Sequence, residues 1–456
     1  MRLTLTVMKP SLKCSLFLII FLAFNGCQSP EEFQREKGVV SAFAELVNAG
    51  VKEMAFSGTM SSSDMDVFFA LAVEEAAKYN VEIYRESALI VTDLFPEDVA
   101  LNQEVLILYQ GQTKAAYLKL KADRQALLSD NKYEGAARRE IARRLGRMLS
   151  YTPRAINKLL SEQTEFRVMS DFGVEATNVF LYYKDLEKAT KFYTETLGLK
   201  LLAEYDNASV IGITQTSIII LVDAAKGMHS ADEPKSVAIA LLTNQLPEWY
   251  AYVQAQNISI KYSYKPKEGG PHDGFVAIDP EGYLLEFELF KEHEENEAFT
   301  PILAASKDVL TSITHNGKAL GFNASITWLY YQGMQNMQNF YEDVVGLEMV
   351  VDQGWAKVYQ GSSSGFIGLV DEKRGMNKYA DTKAVNVSFL IEDLDGWYEY
   401  VQTQKPFELR GEEIGEGPEV KYRAFVGYDP EKYFMEFDKF YEHKDNVTLM
   451  QFLKNE

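Results

Sequence analysis

Cysteine is nearly absent from this chain: among 456 residues there are only Cys14 and Cys27, both in the leading segment. With Cys14 lost in a cleaved leader and Cys27 modified, no thiol remains for a disulfide framework, a thiolate metal site or a cysteine nucleophile. Positive charge is also in short supply. Lys and Arg number 46 against 66 Asp and Glu, a formal net charge of −20. Such a surface repels nucleic acid and anionic lipid. The apolar run at 14–24 is too short to span a bilayer. What the chain does have is a 46% hydrophobic content, enough in over 400 residues for several cores.

Arg2, Lys9 and Lys13 precede that run, and Asn25-Gly26-Cys27 follows it. The order resembles a bacterial lipoprotein signal over residues 1–27, with cleavage before a lipidated Cys27. A plain secretory signal or an uncleaved anchor are the other readings. The expected location is the bacterial cell envelope, lipid-anchored to a membrane outside the cytoplasm. Removing the three basic residues takes −20 to −23.

The C-terminal two-thirds repeats itself. FLYYKDLEKATKFYTETLGLKLL (180–202) recurs as WLYYQGMQNMQNFYEDVVGLEMV (328–350), and LVDAAKGM (221–228) as LVDEKRGM (369–376). WYAYVQAQ (249–256) recurs as WYEYVQTQ (397–404), all three at an offset of 148. DPEGYLLEFELFKEH (279–293) recurs as DPEKYFMEFDKFYEH (429–443) at an offset of 150. Four blocks in one order mean a duplicated domain, 173–293 and 321–443, joined by a linker. Within each copy the pattern predicts two βαβββ modules: Asp185 caps the first helix of copy one and Gly198 stops it.

Residues 38–166 read as a smaller α/β domain of unknown type. Helices are expected from GVVSAFAELVNAG and MDVFFALAVEEAAKY, and strands from VKEMAF, VEIYRE and ALIVTDLF. QEVLILY and TKAAYLKLK read as a hairpin turning at Gln110-Gly111, followed by helices near 134–149 and 153–163. Ser57, Gly58, Thr59 and Ser61 to Ser63 suit either helix capping or an anion. Arg138, Arg139, Arg143, Arg144, Arg147 and Arg154 form a basic stretch expected to dock on the acidic repeats.

The strand with its DLEKATKFYTETLGL helix, and the closing DPEGYLLEFELF or DPEKYFMEFDKF, resemble the vicinal oxygen chelate superfamily of glyoxalase I, bleomycin-resistance proteins and extradiol dioxygenases. The resemblance implies an α+β fold of two tandem domains, each with paired βαβββ modules around a half-open cavity. It further implies a divalent metal held by a His on the first strand, a His on the strand opening the second module and a Glu on the last strand. Carried over, the first-strand positions are Asn178 and Ile326, the second-module positions Ala238 and Asn386, and the last-strand positions Glu286 and Glu436. With each cavity enclosed by its own copy, copy one offers Asn, Ala and Glu, and copy two Ile, Asn and Glu. No His falls on these positions; His229 and His272 read as loop residues. No metal cofactor is therefore expected, with Glu286 and Glu436 as its only weak candidates.

Phe180 and Tyr182 alternate with Asn178, and Trp328 and Tyr330 occupy the same places in copy two. Such rings either wall an organic-ligand pocket or fill a collapsed core. Glu288 and Asp438 share strand parity with Glu286 and Glu436, so each cavity has room for a carboxylate pair; either burial and mutual repulsion raise one pKa, or, as is more common, the outer member is solvated. The favoured reading is an envelope lipoprotein binding a small, largely apolar organic molecule without metal. Its ligand-binding candidates are Asn178, Phe180, Tyr182, Glu286, Trp328, Tyr330, Asn386 and Glu436. A metal-dependent lyase, isomerase or dioxygenase and a protein-interaction scaffold are the alternatives.

Overall fold

A computed structural model describes residues 33–95 and 102–454. The leader and Cys27 lie outside the described residues. None of the described helices is long and apolar enough to cross a membrane. The chain divides into two compact units between Thr152 and Pro153. The helix Pro153–Gln163 thus goes with the second unit, not with the α/β domain to which its sequence position assigned it.

In the first unit, Val105–Tyr109 is the buried centre of a three-stranded antiparallel sheet between Met54–Phe56 and Glu82–Glu86. Its core packs Leu106 and Leu108 against Val40, Ala44 and Phe68 of the helices Gln34–Asn48 and Ser62–Ala77. Two strands expected here are absent. TKAAYLKLK is part of the helix Thr113–Ser129, which buries Tyr117 and Leu120 three residues apart. Its Ala, Lys and Leu content favours helix, and that outweighs the short alternation at Tyr117-Leu118-Lys119-Leu120. ALIVTDLF pairs with no strand; it is an irregular buried segment anchored by Ile90 N–H on the Tyr117 hydroxyl at 3.4 Å. The serines are committed internally: Ser61 caps its helix at Asp64 N–H, and Ser57 receives Leu106 N–H. Arg138 and Arg144 of the basic stretch have partners inside this unit, Asp93 and Asp123, whereas Arg154, in the second unit, pairs with Glu348 of the second repeat as expected.

The second unit contains four βαβββ modules, here numbered I (174–223), II (237–290), III (324–371) and IV (385–440). Their pairing crosses the repeat. The first strand of I, Val174–Tyr183, lies antiparallel to the first strand of IV, Val385–Ile391, and joins the two modules in a nine-stranded sheet. Likewise Val237–Leu242 of II lies antiparallel to Ala324–Tyr331 of III in an eight-stranded sheet. The expectation that each copy closes its own cavity is therefore corrected. A strand's alternation sets which face is buried, but it does not choose the neighbouring strand.

Two tyrosines pin the four modules together. Tyr283 of II accepts Tyr182 N–H of I at 2.8 Å and donates to Ala384 O beside IV at 2.6 Å. Tyr433 of IV does the same with Tyr330 N–H of III at 2.9 Å and Ser236 O beside II at 2.6 Å. The Asp of each DP motif also works across modules: Asp279 accepts from Tyr183 and Tyr193, and Asp429 from Tyr331. The supposed linker 294–320 is ordered as a helix, Thr300–Ala305, and a hairpin, Val309–His315 with Lys318–Phe322. That hairpin turns at Asn316-Gly317, where φ is +50° and +77°.

Candidate ligand-binding site

In each large sheet one row of side chains crosses three adjacent strands. In the I–IV sheet, Asn178, Ser388 and Glu436 stand opposite one another on three adjacent strands. The corresponding row of the II–III sheet is Ile326, Ala240 and Glu286. One step along, Phe180 and Asn386 face each other in the first sheet, Trp328 and Ala238 in the second. Crossing the repeat therefore gathers both amides at one site and leaves neither at the other.

The I–IV site is filled by its own hydrogen bonds. The Tyr182 hydroxyl donates to Asn386 Oδ1 at 2.9 Å, and Asn386 Nδ2 donates to Glu436 at 2.6 Å. Ser388 donates to Asp438. All of these groups are buried. Burial, and then the charge of Asp438, pushes Glu436 well above the usual carboxylate range, while Asn386 pulls it back. Burial likewise raises Asp438, against the Ser388 hydrogen bond. His229 packs here, its ring 4.3 Å from Phe434 and 5.0 Å from Tyr182, and its Nδ1 lies 2.8 Å from Glu233. Burial lowers its pKa, so the ring is neutral. The amide of Asn178, only 2% exposed, meets no partner at hydrogen-bond geometry.

The II–III site keeps the carboxylates and loses the donors. A cavity of about 170 Å³ opens there, walled by Trp328, Tyr330, Phe290 and Trp355, with Glu286 and Glu288 facing it. Burial, and then the neighbouring Glu288 charge, pushes Glu286 well up; burial raises Glu288 to about 7. One oxygen of Glu288 and the Trp328 indole N–H have no partner at full hydrogen-bond geometry, although both residues are over 90% buried; the indole nevertheless lies close enough to Glu288 to pull its pKa back. Small residues make the room. A Cβ at Gly368 would lie 2.0 Å from the Trp328 ring, and one at Gly375 would lie 2.5 Å from Tyr330. Gly227 gives Tyr182 the same clearance in copy one. Arg374 lies over the Trp355 ring at 4.7 Å, and His272, the first residue of the strand His272–Ile278, reaches the wall.

Of the sequence candidates, Glu286, Trp328 and Tyr330 meet in the cavity. Asn178, Phe180, Tyr182, Asn386 and Glu436 belong to the other sheet. Glu288 and Asp438, the outer members that parity placed on this face and that were expected more often to be solvated, are buried. Trp355, Arg374 and His272 were missed, because they lie outside the strands that carry the family motifs. His272 belongs to a strand, not to the loop assigned to it.

Residues 176–287 match the Glyoxalase/Bleomycin resistance protein/Dioxygenase superfamily. The matched stretch spans modules I and II, and the match supports a likeness to the vicinal oxygen chelate superfamily. The chain is also 25% identical over 199 residues to the lactoylglutathione lyase GLX1 of Arabidopsis thaliana, covering 41% of this chain and 69% of that protein. Among solved structures, glyoxalase I from Zea mays is similar at a TM-score of 0.42 and 16% identity, over 61% of this chain and 95% of that one. The cppA protein from Streptococcus pneumoniae gives 0.34 and 15%, over 58% and 98%.

Superfamily members usually employ a divalent metal, and the donors here do not suit one. Of the mapped ligand positions, the II–III site retains Glu286 alone, beside Ala238 and Ile326. The I–IV site brings Asn178, Asn386 and Glu436 together, but Asn386 and Glu436 bond each other. An amide oxygen is a weak substitute for imidazole nitrogen. Among the described residues, no group of three or more His, Cys, Asp and Glu is placed to hold a metal.

Proposed function

We propose that the protein is a metal-free binder of a small, largely apolar organic molecule, held in the II–III cavity and presented in the cell envelope by a lipid on Cys27. One observation carries the reading: aromatic walls around a cavity of about 170 Å³ with two carboxylates and no metal-ligand set. That volume equals roughly six waters' share of the liquid, which suits one ring with a short arm. The lyase activity in the Arabidopsis relative's name is not carried over, because two of the three metal-ligand positions at this cavity are Ala238 and Ile326.

Tryptophan fluorescence tests the reading. Trp249 and Trp397 are fully buried in the core, whereas Trp328 and Trp355 wall the cavity. A small-molecule screen should find ligands that change emission, and the change should vanish in a Trp328→Phe/Trp355→Phe protein. No hit across a broad screen would favour a scaffold. One stoichiometric transition metal, lost in Glu286→Gln or Glu436→Gln, would restore the enzyme reading. For the anchor, a Cys27→Ser protein should be released from membranes or fail to mature; unchanged membrane attachment would refute it.

A further inference from the structure

The two sites hold the same carboxylate pair and differ in what satisfies it. In the I–IV site the chain supplies the donors: Asn386 to Glu436 and Ser388 to Asp438. At the equivalent places of the II–III site stand Ala238 and Ala240. A cavity opens beside the pair, and one oxygen of Glu288, a residue over 90% buried, has no partner at hydrogen-bond geometry, the Trp328 indole being the one donor from outside the pair that acts on that carboxyl. A buried carboxylate lacking donors is costly, and the cost is removed when something else supplies them. The rings around the cavity add a second preference, because Trp and Tyr faces attract cations.

Building on the cavity as the ligand site, we infer that its ligand is an organic cation: a protonated amine on an aromatic or compact apolar body, with the ammonium between Glu286 and Glu288. The ammonium takes the place that Asn386 and Ser388 fill in the other sheet. The charged groups around the pair are few. Lys261 acts on Glu286 from Ile260–Tyr262, two strands away, and Arg374 lies over Trp355 on the wall. Burial, and then Lys267, lowers the pKa of His272, so that ring adds no charge near neutrality. Burial raises the Tyr330 hydroxyl, which stays protonated. The carboxyl pair holds a proton that an incoming ammonium expels to solvent. Binding should therefore release protons and weaken about tenfold from pH 8 to pH 6, since Glu288 titrates near 7.

The test compares 2-phenylethylamine with 2-phenylethanol, nearly isosteric probes, by calorimetry and Trp quenching on the full chain. The amine should bind at least tenfold tighter, with an enthalpy that varies with the buffer's ionisation heat. Glu286→Gln/Glu288→Gln, which changes almost no volume, should erase the preference, while Glu436→Gln should leave it. Equal or tighter binding of the alcohol, or a preference surviving in the double variant, overturns the cation assignment and leaves the cavity reading standing. If neither probe binds and a broad neutral screen is also silent, both fall.

Discussion

The I–IV and II–III sheets descend from the same repeated modules, carry carboxylates at the same places and hold them in opposite ways. Tyr182, Asn386 and Ser388 knit the first site shut. Ile326, Ala238 and Ala240 give the second no such donors, and a cavity opens there. Phe180 stands opposite Ile220 in one sheet, and Trp328 opposite Gly368 in the other, so even the large ring was accommodated by emptying its neighbour. Duplication has let one site become a self-satisfied polar core and the other a pocket. The difference lies in a few small residues rather than in the acids.

The comparison breaks most severely if the closed site loses its donors. Asn386→Ala/Ser388→Ala removes the hydrogen bonds that Glu436 and Asp438 receive from these two side chains in the buried site. Urea unfolding should show a loss of about 3 kcal/mol or more, against near-neutrality if the donors are incidental. The reciprocal graft, Ala238→Asn/Ala240→Ser, should give Glu286 and Glu288 donors of their own and weaken binding of 2-phenylethylamine about a hundredfold, or ~2.7 kcal/mol. Unchanged affinity would mean that the ligand sits elsewhere.

The acids themselves should weaken the fold at high pH. Glu288 has a folded-state pKa raised to about 7 by burial, above its unfolded value. The folded protein holds a proton that the unfolded chain releases, so stability is greatest below the unfolded value and falls as pH rises toward 7. Glu288→Gln removes that loss. It should raise stability by about 2 kcal/mol at pH 8, with the gain shrinking toward pH 4.5. A pH-independent difference would contradict the burial argument. The smallest effect should be a symmetric one. Tyr283→Phe and Tyr433→Phe each remove one cross-module hydroxyl and should cost about 1 kcal/mol apiece in thermal melts. Unequal costs would show that the pins, like the sites, have diverged.

Much of this architecture is legible in the chain. The offsets of the repeat give the module order, and alternation around Asn178, Trp328 and Glu436 gives the inward face of each strand. The partner of each module is not legible, since first strands of all modules are alike in pattern and pairing is decided by packing and by the path of the connections. Regrouping Asn178 with Asn386 is the consequence that mattered, because it changes two half-polar sites into one polar and one apolar. Asn316-Gly317 was a readable hairpin signal inside a stretch taken for linker. Thr113–Ser129 misled because Leu118 and Leu120 mimic alternation within a helix. Trp355 and Arg374 could not be assigned, because their approach to the cavity depends on how the loops of module III fold back.

A crystal structure of the full chain with 2-phenylethylamine tests the central claim most directly. The account predicts ligand density between Glu286, Glu288 and Trp328, with Asn386 still bonded to Glu436 and nothing bound beside them. Density for a ligand or metal among Asn178, Asn386 and Glu436, with the II–III cavity empty, would contradict it.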